Sequence, residues 1–71
     1  MTELGLYLAK KSVNKSEISR RTGISKSRLS ELSINLTARL RADELYLIAL
    51  AIDADPGDML NSLFKHTKLK D

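Results

Sequence analysis

Apolar residues recur at spacings of three and four along the chain, a pattern that predicts helices and gives no convincing strand. A first helix is expected from Thr2 to Lys11, with Leu4, Tyr7 and Leu8 on one face and Lys10 and Lys11 in its last turn, where cations suit the dipole. Asn14 is a good N-cap for a second helix that runs to Thr22. Glu17 stands three residues after it, at capping-box spacing, and Val13 precedes it. Gly23 can take the positive φ that ends this helix, and Ser25 caps a third, from Lys26 to Ile34. The stretch Asn35 to Arg41 has no helical face and reads as a loop, with Asn35 expected in the left-handed conformation that closes a helix. A fourth helix from Ala42 to Asp53 is apolar on nearly every side and is expected to be the central buried one. Asp55-Pro56-Gly57-Asp58 is a helix start, so a fifth helix follows with Met59, Leu60, Leu63 and Phe64. The expectation is one all-α domain over residues 1–65 and a polar, mobile tail over residues 66–71.

The stretch from Asn14 to Leu32 is the most informative part, two short amphipathic helices joined at Gly23, which looks like a DNA-binding helix-turn-helix. On the wheel of the third helix, Leu29 and Leu32 point one way. Ser27, Ser30, Glu31 and Ile34 point the other way, with Lys26 and Arg28 on the flanks. Serine is a mediocre helix former, so propensity alone does not select it there. Small hydroxyl side chains let a helix sit deep in a major groove and bond to base edges or phosphate. The plainer alternative is that serines are tolerated on any exposed helix.

Charge sharpens this picture. Residues 1–41 hold nine basic side chains against three acidic ones, a net +6, while residues 42–71 hold three lysines against six acids, a net −3. One half therefore carries the positive field, as expected if it meets a polyanion, although lysines and arginines also serve simply to solvate helix surfaces. The chain has no cysteine and a single histidine, His66, which excludes a disulfide framework and thiolate chemistry and cannot form a metal cluster alone. No Gly-x-Ser-x-Gly elbow and no phosphate-binding glycine loop is present, and Glu17 and Glu31 each have a better role than as a carboxylate pair. The expectation is that the protein is not an enzyme and needs no cofactor. No apolar run approaches the roughly 20 residues that span a bilayer, so a soluble, cytoplasmic protein without membrane contact is expected.

Five short helices with a tight turn between the second and third resemble the lambda-repressor-like fold of the Cro and XRE families of helix-turn-helix transcriptional regulators. The resemblance covers Leu4 to Phe64. It is carried by Ile18, Ser19, Gly23, Ile24, Ser25, Leu29, Ser30 and Leu32, then by Ile48-Ala49-Leu50-Ala51-Ile52 and Asp55-Pro56. Ser19 stands where the family usually has a small Ala. The resemblance implies sequence-specific binding of double-stranded DNA, as a homodimer on a palindromic operator, with the third helix in the major groove. Carried over, Lys26, Ser27 and Glu31 occupy base-contact positions, with Arg28 and Ser30 beside them. Lys26 would prefer guanine O6 and N7, and Glu31 would accept from cytosine N4. Asn14, Lys15 and Ser25 at the helix starts, with Arg39 and Arg41 in the loop, are the expected phosphate contacts.

The loop departs from the family pattern, since Ile34, Asn35 and Leu36 replace the usual polar-glycine-basic sequence and the loop is about one residue longer than the common form. Ile34 is expected to pack under the loop, the alternatives being a thymine methyl contact or an interface; Leu36 and Leu40 are expected to pin the loop to the core. For a dimer, the surplus apolar positions of the fourth helix and Leu60, Leu63 and Phe64 offer an isologous contact, unless all serve the monomer core. A repressor-like regulator is the leading reading. The alternatives are an antitoxin or phage-type control protein with a protein partner, and a helical protein-interaction module that has lost DNA binding.

Overall fold

Caps and breakers decide where the helices begin and end. In a computed structural model describing residues 1–71, the order is α1 (Glu3–Lys11), α2 (Lys15–Thr22), α3 (Lys26–Ile34), α4 (Ala42–Ala51) and α5 (Pro56–Leu63). Asn14 Oδ1 accepts the N–H groups of Ser16 and Glu17 at 2.8 and 3.3 Å. Ser25 Oγ accepts from Arg28 N–H at 3.1 Å, and Asp55 accepts from Asp58 N–H at 3.0 Å. These three side chains satisfy the first-turn donors that a helix cannot satisfy itself. The capping box at Asn14 forms only by half, because the Glu17 carboxylate pairs with Arg20 instead. Thr2, expected inside α1, is its N-cap and accepts from Gly5 N–H at 3.0 Å.

Two helix ends depart from the expected form. Gly23 closes α2 with φ 81°, as expected, but Asn35 does not take the left-handed conformation: its φ and ψ are −83° and 111°. Its side chain instead accepts from Thr37 N–H and from the Thr37 hydroxyl at 2.9 and 2.7 Å, an Asx-type turn that needs extended backbone. Left-handed residues occur at Ser12 (φ 54°), closing α1, and at Asp53 (φ 57°), after an α4 that stops at Ala51.

The core is assembled from Leu4 and Leu8 of α1, Ile18 of α2, Leu29 and Leu32 of α3, Leu45, Ile48 and Ala49 of α4, and Met59 and Leu63 of α5. Helix α4 is less enclosed than its composition suggests. It packs against α2 and α5, and no further element covers its remaining side, so Tyr46, Leu47 and Leu50 are exposed. Leu40 packs on the core as expected. Ile34 and Leu36 do not: they are 64% and 79% exposed. Ile34 lies opposite the Leu29/Leu32 face, and Leu36, carried out by the turn at Asn35, reaches only the rim of a shallow apolar cleft between α1, the loop and α5.

Helix α1 clasps the far end of α3. Thr2 N–H donates to the Ser33 carbonyl at 2.9 Å and the Thr2 hydroxyl to the Leu32 carbonyl at 2.6 Å, satisfying acceptors that the end of α3 would leave unpaired. The approach is so close that a Cβ on Gly5 would stand 2.3 Å from the Ser33 carbonyl oxygen. Glycine at position 5 is thus required by contact between backbones, not by its own conformation. The buried Ser33 hydroxyl is satisfied by the Leu29 carbonyl at 2.7 Å.

Candidate nucleic-acid interface

Helix α3 offers its first turn and its outward face. Leu29 and Leu32 are buried in the core and fix the rotation of the helix, so Ser27 and Glu31 face solvent and Ser30 sits half-buried at the edge. The side chains of Lys26 and Ser27 are exposed and make no hydrogen bond or ion pair with the rest of the chain. No acidic side chain lies in the first turn of α3, so the positive end of its dipole is not offset there. The turn leading into it is braced by Thr22, whose hydroxyl donates to the Ile18 carbonyl at 2.7 Å and accepts Ile24 N–H at 3.1 Å. A Cβ at Gly23 would meet nothing within 4 Å, so the glycine there serves the left-handed φ alone.

Arg28, expected beside the base-contact positions, is turned inward. Its Nε and Nη2 donate to the two Glu44 oxygens at 2.9 and 3.1 Å, its Nη1 to Glu31 at 2.7 Å, and its Nη2 also to the Arg39 carbonyl at 2.9 Å. The fork of five donors is thereby almost fully used, which leaves little for a base edge. Arg28 instead fastens α3 to the loop and to the start of α4.

Glu44 is the buried half of this arrangement, with a side chain 11% exposed against 29% for Arg28. Its Oε1 also accepts Arg41 N–H at 2.9 Å, so the same carboxylate caps α4. Hydrogen bonding from Arg28 holds the Glu44 carboxyl below the usual carboxylate range; burial pushes the other way, and the bond from Arg41 N–H adds to the lowering. The same contacts, first with Glu44 and then with Glu31, raise the Arg28 pKa and keep the guanidinium charged.

The other cations divide into tethered and open. Arg21 donates to the Ala51 carbonyl at 2.7 Å, closing the end of α4, and Arg20 pairs with Glu17. Neither role was foreseen. The Arg39 side chain is exposed while its carbonyl is held by Arg28, so the loop lies against α3 at that point. Arg41 is exposed and reaches Asp43 only at 3.4 Å. Asn14, its Oδ1 spent on the cap, keeps its amide nitrogen free, and Ser25 keeps its hydroxyl proton. Lys15 shares a shallow depression with Ile34 at the end of α3.

Of the residues sequence reasoning missed, Glu44 left a signal: it stands at the third position of α4, where a carboxylate reaches back to the cap. Its pairing with Arg28, sixteen residues away, left none. Elsewhere, no group of three or more His, Asp or Glu side chains converges, and no helix is long and apolar enough to cross a membrane.

Compared with known proteins, residues 3–63 match the family model described as the Cro/C1-type HTH DNA-binding domain. No curated protein and no solved structure matches the chain.

Proposed function

The chain belongs to the Cro/C1-type helix-turn-helix DNA-binding family, and from that premise we propose that it regulates transcription by sequence-specific binding of duplex DNA, with α3 in the major groove. The observation that carries this reading is the contrast along α3. Its clasped end and buried leucines fix the helix, while Lys26 and Ser27 stand outward with no internal partner. Lys26 suits guanine, Ser27 and Ser30 are small enough for close approach, and the outer oxygen of Glu31 can accept from cytosine N4.

Lys15, Arg39 and Arg41 are the phosphate contacts in this reading, joined by the free hydrogens of Asn14 and Ser25. Arg28 takes a supporting role in place of base contact. A second copy binds the other half of a palindromic operator, about one helical turn of roughly 34 Å away. Leu60 and Phe64, exposed on α5, are the proposed contact between copies, whereas Leu63 serves the monomer core. The exposed Tyr46, Leu47 and Leu50 of α4 are the surface a protein partner would use if the chain acts as a control protein in a larger complex.

Selection of bound duplexes from a random library tests the proposal. A recovered palindrome supports it, and recovery of no preferred sequence overturns it. On the selected site, Arg39→Ala should flatten the dependence of log affinity on log salt by about one unit and weaken all duplexes alike.

A further inference from the structure

We infer that Arg28 is a positioning residue for Glu31: it holds the carboxylate at the groove-facing surface and offsets part of its charge, and so makes cytosine readable by an acidic side chain. The inference rests on the proposal that α3 enters the major groove.

A carboxylate offered to DNA faces an array of phosphates, and left alone it is repelled in proportion to its charge. Glu31 is not left alone. Arg28 Nη1 donates to Glu31 Oε1 at 2.7 Å, which leaves Oε2 as the acceptor for a cytosine amino group. An exposed ion pair three residues apart on a helix ordinarily does little, because ordering two long side chains costs about what the attraction contributes. Here the guanidinium is already immobilised by three other hydrogen bonds, two to the largely buried Glu44 and one to the Arg39 carbonyl. Glu44 is in turn fixed by Arg41 N–H at the start of α4. A continuous chain of contacts therefore runs from the backbone of α4 through Glu44 and Arg28 to Glu31. Only Glu31, the last member, lacks a second partner in the protein.

The test measures affinity of the full chain for its selected duplex and for all single-base variants of that duplex. Glu31→Gln first identifies the base pair that Glu31 reads. Arg28→Met is then expected to relax preference at that same base pair by about tenfold and to weaken every duplex somewhat, since an uncompensated carboxylate now faces the phosphates. Adding Glu31→Gln to Arg28→Met should restore the general affinity without restoring the preference, a rescue that a purely structural defect would not show. Arg28→Lys, which keeps the charge, should recover part of the preference. Should Arg28→Met fail to fold, Glu44→Gln loosens the anchor while keeping one acceptor, and a smaller relaxation at the same base pair is expected. If Glu31→Gln changes no base preference, the assignment of Glu31 as a reader fails and the inference falls with it. If Glu31→Gln relaxes a base pair and the Arg28 and Glu44 variants leave it intact, the inference alone is overturned.

Discussion

The two ends of α3 are held in different ways. At its C-terminal end the Leu32 and Ser33 carbonyls are bonded by Thr2, the Ser33 hydroxyl is bonded within the helix, and Gly5 lets another backbone come to contact. At its N-terminal end Ser25 caps the first turn and Arg28 ties it to Glu44 and to the Arg39 carbonyl, while the side chains of Lys26 and Ser27 project without partners. A helix gripped along its whole length could not present a first turn to a ligand, and one gripped nowhere would fray. The difference teaches that a helix can be held at both ends and still present free side chains, because at the N-terminal end a single residue, Arg28, carries the tethering.

The sharpest way to break that arrangement is at the clasp. Gly5→Val places a Cβ where the Ser33 carbonyl oxygen now stands, and a backbone atom cannot swing aside. Urea unfolding should show a loss of about 3 kcal/mol, the upper part of the range for forced overpacking, even though leaving glycine improves helix propensity. At the open end, Lys26→Ala should behave in the reverse manner. Binding to the selected duplex is expected to weaken by ~1–3 kcal/mol with relaxed preference at one base pair, while the urea midpoint barely moves. A large fall in stability in this variant would show that the first turn is not free. Thr2→Ala, which removes both the α1 cap and the bond to Leu32, should cost about 1 kcal/mol of stability and leave base preference unchanged.

The smallest effect concerns pH. Because the Glu44 carboxyl is held lower in the folded chain than in the unfolded one, the stability it contributes is complete above the unfolded carboxylate value, about 4.3. That stability is lost as pH falls through the lower folded value. Thermal unfolding followed from neutral pH downward should therefore show an acid limb that is flatter in Glu44→Gln than in the parent chain.

What could be read from the sequence follows the range of the interaction concerned. The caps at Asn14, Ser25 and Asp55, the turn at Gly23 and the inward Leu29 and Leu32 depend on neighbours within one turn, and each was legible. The Thr2 clasp, the Arg21 bond to Ala51 and the Arg28–Glu44 pair join residues sixteen to thirty-one apart, and no local pattern announces them. Asn35 shows the limit of a correct premise. Its side chain does organise the turn, but by accepting from Thr37 in extended backbone, where positive φ was expected. Ile34 is expected under the loop and Leu36 against the core because apolar side chains usually find cover. In a chain of this size not every one finds cover.

The Thr2 clasp also bears on how the domain acquires its structure. The bonds that finish α3 come from a residue thirty positions earlier, so they cannot form until α1 and α2 have been folded back and the intervening loop closed. Helices α2 and α3 can nucleate early through their own caps, but the last turn of α3 is completed only by a long-range contact. A fragment beginning at Val13 would carry the whole helix-turn-helix sequence and still hold α3 with a frayed end. The unit that folds cooperatively is therefore larger than the motif that meets DNA.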